Sequence, residues 1–139
     1  MVETAFVLFI LVLLAFGITE FGRAMYTKNT LNNGARAGAR AAVVTNPLDN
    51  LPRTYTSAST SDNIQQNIFG SLFYINKAPA KLSASVCVAD NAGNCTAKAT
   101  AATGDTVKVT ITYTGFTSVV PKLIPITNTL VGTASMRYE

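Results

Sequence analysis

The chain has 139 residues, 48% of them apolar and 13% charged, with a formal net charge of +4. One domain is the default for that length, and with no His, no Trp and two Cys the usual metal sets and the Cys-His and Ser-His-Asp catalytic sets are excluded. Its basic residues are scattered from Arg23 to Arg137 without interleaved aromatics, which sets nucleic acid aside as a partner.

The first element is apolar. Between Glu3 and Glu20 lie 16 residues without a charge, including an unbroken apolar or glycine run from Ala5 to Ile18. As a helix these span about 24 Å, slightly short of a hydrocarbon core of about 30 Å. A signal peptide would place a basic region before the run and small residues after it, whereas here an acid precedes it and Glu20-Phe21-Gly22-Arg23 follows. A buried soluble helix is the other alternative, but apolar residues cover every face and a head this small could not surround it. The segment therefore reads as a membrane span or a filament core.

No proline occurs before Pro47, and Leu31, Ala35, Gly38 and Ala42 keep helical spacing opposite a polar stripe of Asn29, Asn33, Arg36 and Arg40. The pattern predicts one helix over residues 4–44, about 60 Å long and twice a bilayer, so that it must project beyond the membrane. Gly34, Ala35, Gly38, Ala39 and Ala42 crowd its second half. The Gly34-x-x-x-Gly38 spacing permits close approach of another helix or a sheet, although alanine also serves helix propensity. Gly17 and Gly22 lower helix stability and could permit bending.

Asn46-Pro47-Leu48-Asp49-Asn50-Leu51-Pro52 ends the helix, dividing the chain into a stalk at 1–45 and a head at 46–139. An irregular connection through Ser61 is expected. A short helix then covers Asp62 to Ile75, with Ser61 or Asp62 as N-cap, Ile64, Ile68, Leu72 and Ile75 on one face, and Asn76 and Pro79 setting its end. Leu82, Ala84, Val86 and Val88 share one face of a strand, and Val107, Val109, Ile111 and Tyr113 share one face of another, which follows a turn at Gly104-Asp105. A last strand is expected over Thr127 to Tyr138. Phe116 to Ile126, with Pro121 and Pro125, reads as an apolar lid over the core or a contact with a neighbouring subunit. The fold class is α+β: a long apolar then amphipathic N-terminal helix and a small head with a short helix and a three- or four-stranded antiparallel sheet.

Cys87 and Cys95 bracket a turn-forming stretch, Val-Ala-Asp-Asn-Ala-Gly-Asn, which favours a disulfide and an oxidising compartment over two reduced thiols. Asp90-Asn91-Ala92-Gly93-Asn94 carries oxygens that could hold calcium, but a turn inside a disulfide ring accounts for the same residues. Tyr55, Tyr74 and Tyr138 read as packing residues. Glu20 and Arg23, three apart, can pair on the helix. Glu3 is the costly residue: a carboxylate heading an apolar run needs a cation, and a terminal amine, its own or a neighbour's, is the economical one. Snorkelling into headgroups is the alternative.

Glu3, the apolar run, Gly17-Ile18-Thr19-Glu20-Phe21-Gly22-Arg23 and the segment from Asn29 to Arg40 resemble the N-terminal signature of TadE-like pilin-type proteins. The likeness covers about 44 residues, and the ending Ser135-Met136-Arg137-Tyr138-Glu139 is similar to the family's last strand. The resemblance implies a precursor cut by a prepilin peptidase, storage in the inner membrane with the head outside the cytoplasm, and assembly into a tight-adherence (Tad) pilus. Expected partners are itself or other pilins in a helical filament and the pilus assembly machinery. Glu3 would take the role of the pilin glutamate, normally the fifth mature residue and here the third, so either residues precede Met1 or processing differs. Phe9 stands where these proteins often carry proline, which favours a straighter helix. No cofactor, metal or catalytic residue is expected, and an enzyme is disfavoured because the head's acids are dispersed. The alternative function is a membrane-tethered adhesin or assembly partner that binds through its head without polymerising.

Overall fold

A computed structural model describes residues 2–56, 62–72, 75–78, 80–117 and 129–139. One helix, α1 (Val2–Val44), runs unbroken through 43 residues, about 65 Å at the ordinary helical rise. Its halves have opposite environments. From Phe6 to Phe21 its large apolar side chains are exposed, whereas Leu31, Ala35, Ala39 and Ala42 are fully buried. Asn29, Asn33, Arg36 and Arg40 form the exposed stripe opposite.

The head follows as β1 (Arg53–Thr56), α2 (Asn63–Gly70), β2 (Leu82–Ala89), β3 (Cys95–Thr96), β4 (Thr106–Tyr113) and β5 (Leu130–Arg137). The strands form one antiparallel sheet in the order β1-β2-β4-β5, with the short β3 also pairing with β2. The five strands exceed the expected three or four for two reasons. β1 lies in the stretch read as an irregular connection, where the single alternation Arg-Thr-Tyr-Thr puts only Tyr55 inward next to a proline. β3 is two residues long, too short to leave a periodic signal.

One sheet face, carrying Leu82, Ala84, Val86, Val107, Val109 and Ile111, is buried in the core that α1 and α2 complete. Asp62 caps α2, its carboxylate accepting the N–H of Ile64 at 3.2 Å. α2 ends at Gly70 rather than Ile75, because Ser71 turns the chain, its N–H reaching Phe69 O and its hydroxyl donating to Ile68 O. Leu72, beyond that end, still reaches the core and is fully buried. Ser61, Tyr74, Pro79, the apolar loop beyond Thr117 and the expected start of the last strand at Thr127 lie outside the described residues.

Candidate membrane-boundary and assembly surface

The close approach of stalk and head is made by residues that lack side chains. A Cβ on Gly34 would lie 2.6 Å from Leu72 Cδ2 and 3.1 Å from Ile111 Cδ1, and one on Gly38 would lie 2.3 Å from Ile68 Cγ1. Such separations are well inside van der Waals contact, so the two glycines let α1 lie directly on α2 and β4. The small-residue stripe of Gly34, Ala35, Gly38, Ala39 and Ala42 is thus spent inside the chain, as the floor of the head's core.

Gly132 makes the same approach from the other partner and was not singled out by sequence. Its added Cβ would meet Leu31 C at 2.5 Å and Asn32 N at 2.8 Å, so β5 crosses against the backbone of α1. The available signal was a lone glycine inside a strand, which often marks a close backbone approach. Two polar contacts fix the register: Thr133 N–H donates to Asn32 Oδ1 at 3.3 Å, and the Tyr138 hydroxyl donates to Thr45 O at 2.9 Å.

Below the head, the large apolar side chains of the helix are exposed among the described residues. Only 6% of the most apolar window of α1 is buried, which separates it from the core helix of a soluble protein, and its length and hydropathy suffice to cross a membrane. The upper half of the same unbroken helix is built into the head's core. Glu3 is exposed near its start, at the edge of a shallow cleft with Val7, Leu8 and Leu11.

Twenty residues above Glu3, about 30 Å along the axis, stands Arg23. Its Nη1 contacts Glu20 Oε2 at 3.3 Å, and its guanidinium carbon lies 5.7 Å from the centre of the Phe116 ring. Glu20 is only 3% exposed. Between these residues and the underside of the head is a pocket of about 310 Å³, walled by Arg23, Tyr26 and Thr27 of α1 and by Asn76, Tyr113 and Phe116 of the head.

Residues 1–40 match the family model described as TadE-like protein. This segment is TadE-like. No curated protein and no solved structure gave a significant match to the chain. The TadE-like segment covers the exposed apolar half of α1 and most of the stripe that the head covers, and it points to a membrane protein associated with a Tad pilus.

The head attached to the TadE-like stalk carries two ties beside β2. Cys87 and Cys95 are joined by a disulfide, with Cα atoms 5.5 Å apart. Inside its ring Asp90 Oδ1 accepts the N–H groups of Ala92 and Asn94, at 3.0 and 2.7 Å. The carboxylate that could have begun a calcium site thus closes a turn, and no cluster of three or more His, Cys, Asp or Glu occurs among the described residues.

At β1, Asp62 Oδ2 accepts from the Tyr55 hydroxyl at 2.7 Å and from Arg53 Nη1 at 3.1 Å, linking that strand to the start of α2. Burial pushes the Asp62 carboxyl up, but the bonds from Tyr55, Ile64 N–H and Arg53 outweigh it and hold it below its ordinary value. Burial raises the Tyr55 hydroxyl. Asp105, bonded by Lys98 and by Ala102 N–H, is also held low, at the turn that opens β4. Tyr55 and Tyr138 are buried as packing residues with satisfied hydroxyls.

Proposed function

We propose that the chain is a non-enzymatic, pilin-like subunit, stored in the membrane through the lower half of α1 and assembled through that half into a Tad-type filament that supports surface attachment. The observation that carries the reading is the division of one continuous helix. Its upper half is committed to the chain's own head, and its lower half, from Phe6 to Phe21, leaves its large apolar side chains exposed on every side. Such a rod is stable only in lipid or among similar rods, so exchanging lipid contacts for helix contacts keeps its apolar surface out of water.

Glu3 supplies register. A carboxylate moved into an apolar bundle is unfavourable by several kcal/mol unless a cation meets it, and a neighbour's terminal amine meets it at only one axial offset. Glu3→Gln should leave the head folded and the chain in the membrane while lowering its share in sheared surface filaments. The measurement is the ratio of sheared to membrane-retained chain at equal expression. An unchanged ratio would reduce Glu3 to a headgroup anchor, and absence of the wild-type chain from sheared material would favour a tethered adhesin or assembly partner.

A further inference from the structure

The pocket at the neck has a chemistry that filament assembly does not use. Its α1 wall presents the Arg23 guanidinium, whose side chain remains 46% exposed despite the contact with Glu20. That contact engages Nη1, and a guanidinium carries five N–H donors, so others stay available. The Phe116 ring centre lies 5.7 Å from the guanidinium carbon, within cation–π range. On the head wall, Asn76 Oδ1 accepts the Ala78 N–H at 3.0 Å, which orients its amide NH2 as a donor. Tyr26, half exposed, adds a hydroxyl from the helix.

The depth of the pocket identifies what these donors would meet. Arg23 stands about 30 Å above Glu3, the thickness of a hydrocarbon core, so a helix with Glu3 at one boundary places Arg23 and Tyr26 in the opposite headgroup layer. Tyrosine is favoured there. Among the described residues the Glu20 carboxylate stands beside Arg23 and opposes an anion, but its contact with Arg23 offsets it.

We propose that this neck pocket binds the phosphate headgroup of an anionic phospholipid such as phosphatidylglycerol while the chain is in the membrane. Arg23 and the Asn76 amide donate to the phosphate oxygens, Tyr26 donates to the headgroup polyol, and the acyl chains run down the apolar half of α1. The lipid thus fills the gap between head and bilayer and fixes how high the head stands. The inference rests on the membrane-stored part of the function proposed above.

The test uses the full chain. Flotation with vesicles of phosphatidylcholine checks membrane insertion, and failure to float would remove both the membrane reading and the lipid site. Native mass spectrometry of the detergent-solubilised chain, with phosphatidylglycerol and phosphatidylcholine competing, then reads the site. Preferential retention of phosphatidylglycerol is expected, reduced about fivefold by Arg23→Gln, the effect expected of one basic side chain at an anionic surface, and unchanged by Arg36→Gln higher on the exposed stripe. Asn76→Ala, at an exposed position outside helix and strand, should lower retention as well and provides the test if Arg23→Gln disturbs the head. Glycerol phosphate in solution should not compete; competition by it would assign the site to a free phosphate ester. A chain that floats but retains both lipids equally, or loses phosphatidylglycerol equally in Arg23→Gln and Arg36→Gln, would overturn the proposal.

Discussion

Gly132→Ala tests whether the head is held to the stalk by backbone proximity. The added methyl would lie 2.5 Å from Leu31 C, 2.6 Å from Leu31 Cβ and 2.8 Å from Asn32 N. Ordinary carbon contacts are about 3.5–4.0 Å, so β5 and α1 must separate by about 1 Å. Two of the three opposing atoms are backbone of an unbroken helix, and no rotamer change can move them aside. Overpacking of this kind costs about 1–3 kcal/mol, and the rigid partner puts this site near 3. Gly132 has no left-handed φ, so alanine returns roughly 0.5–1 kcal/mol by restricting the unfolded chain. The net expectation is about 2 kcal/mol of lost stability, measured by denaturant unfolding of the detergent-solubilised chain followed by tyrosine circular dichroism. Gly70→Ala, where a Cβ meets nothing within 4 Å, is the control and should gain roughly 0.4–1 kcal/mol by the same restriction of the unfolded chain. A Gly132→Ala chain as stable as that control would refute the reasoning.

Gly38→Leu, which drives a side chain into Ile68, should reduce folded chain and filament yield far more than Lys98→Leu; equal yields would remove the packing role of the stripe. Replacing Cys87 and Cys95 together by Ser should cost roughly 2–3 kcal/mol on reduction-insensitive unfolding curves, and free thiols on mass spectrometry of the unreduced wild type would contradict the disulfide. Asp62 is held below its ordinary value, so its contribution is present above the unfolded carboxyl value of about 4 and is lost as pH falls through the lower folded value. Asp62→Asn should therefore lower stability at neutral pH by about 1 kcal/mol and flatten the acid limb, whereas an unaltered acid limb in pH-dependent unfolding would show that the Tyr55–Asp62–Arg53 link is not coupled to folding.

The stalk was legible because its signals are long and one-dimensional. Sixteen uncharged residues and then a regular stripe through Leu31, Ala35, Gly38 and Ala42 fix both the helix and the face it buries. The eight-residue alternation of β4 was equally plain, since every inward residue from Val107 to Tyr113 is apolar. What escaped was short or relational. β1 has four residues and one inward side chain, and β3 owes its existence to the hairpin closed by Cys87 and Cys95. The Asp62 link and the neck pocket join residues that no local pattern relates: Arg53 and Tyr55 to Asp62, and Arg23 to Asn76 and Phe116. The small-residue spacing indicated a close approach but left its partner open, and the partner proved to be the chain's own Ile68, Leu72 and Ile111.

The contact between β5 and α1 joins residues far apart in the chain: Asn32 and Thr133 are separated by 101 positions. At roughly 5–20 residues per second a ribosome needs about 5–20 s to travel that distance. The lower stalk has therefore emerged and can partition into lipid many seconds before the strand that covers the upper stalk exists. Membrane entry precedes head closure by the order of synthesis alone, and the alanine and glycine stripe, having little apolar side chain to expose, is suited to waiting in water for its sheet.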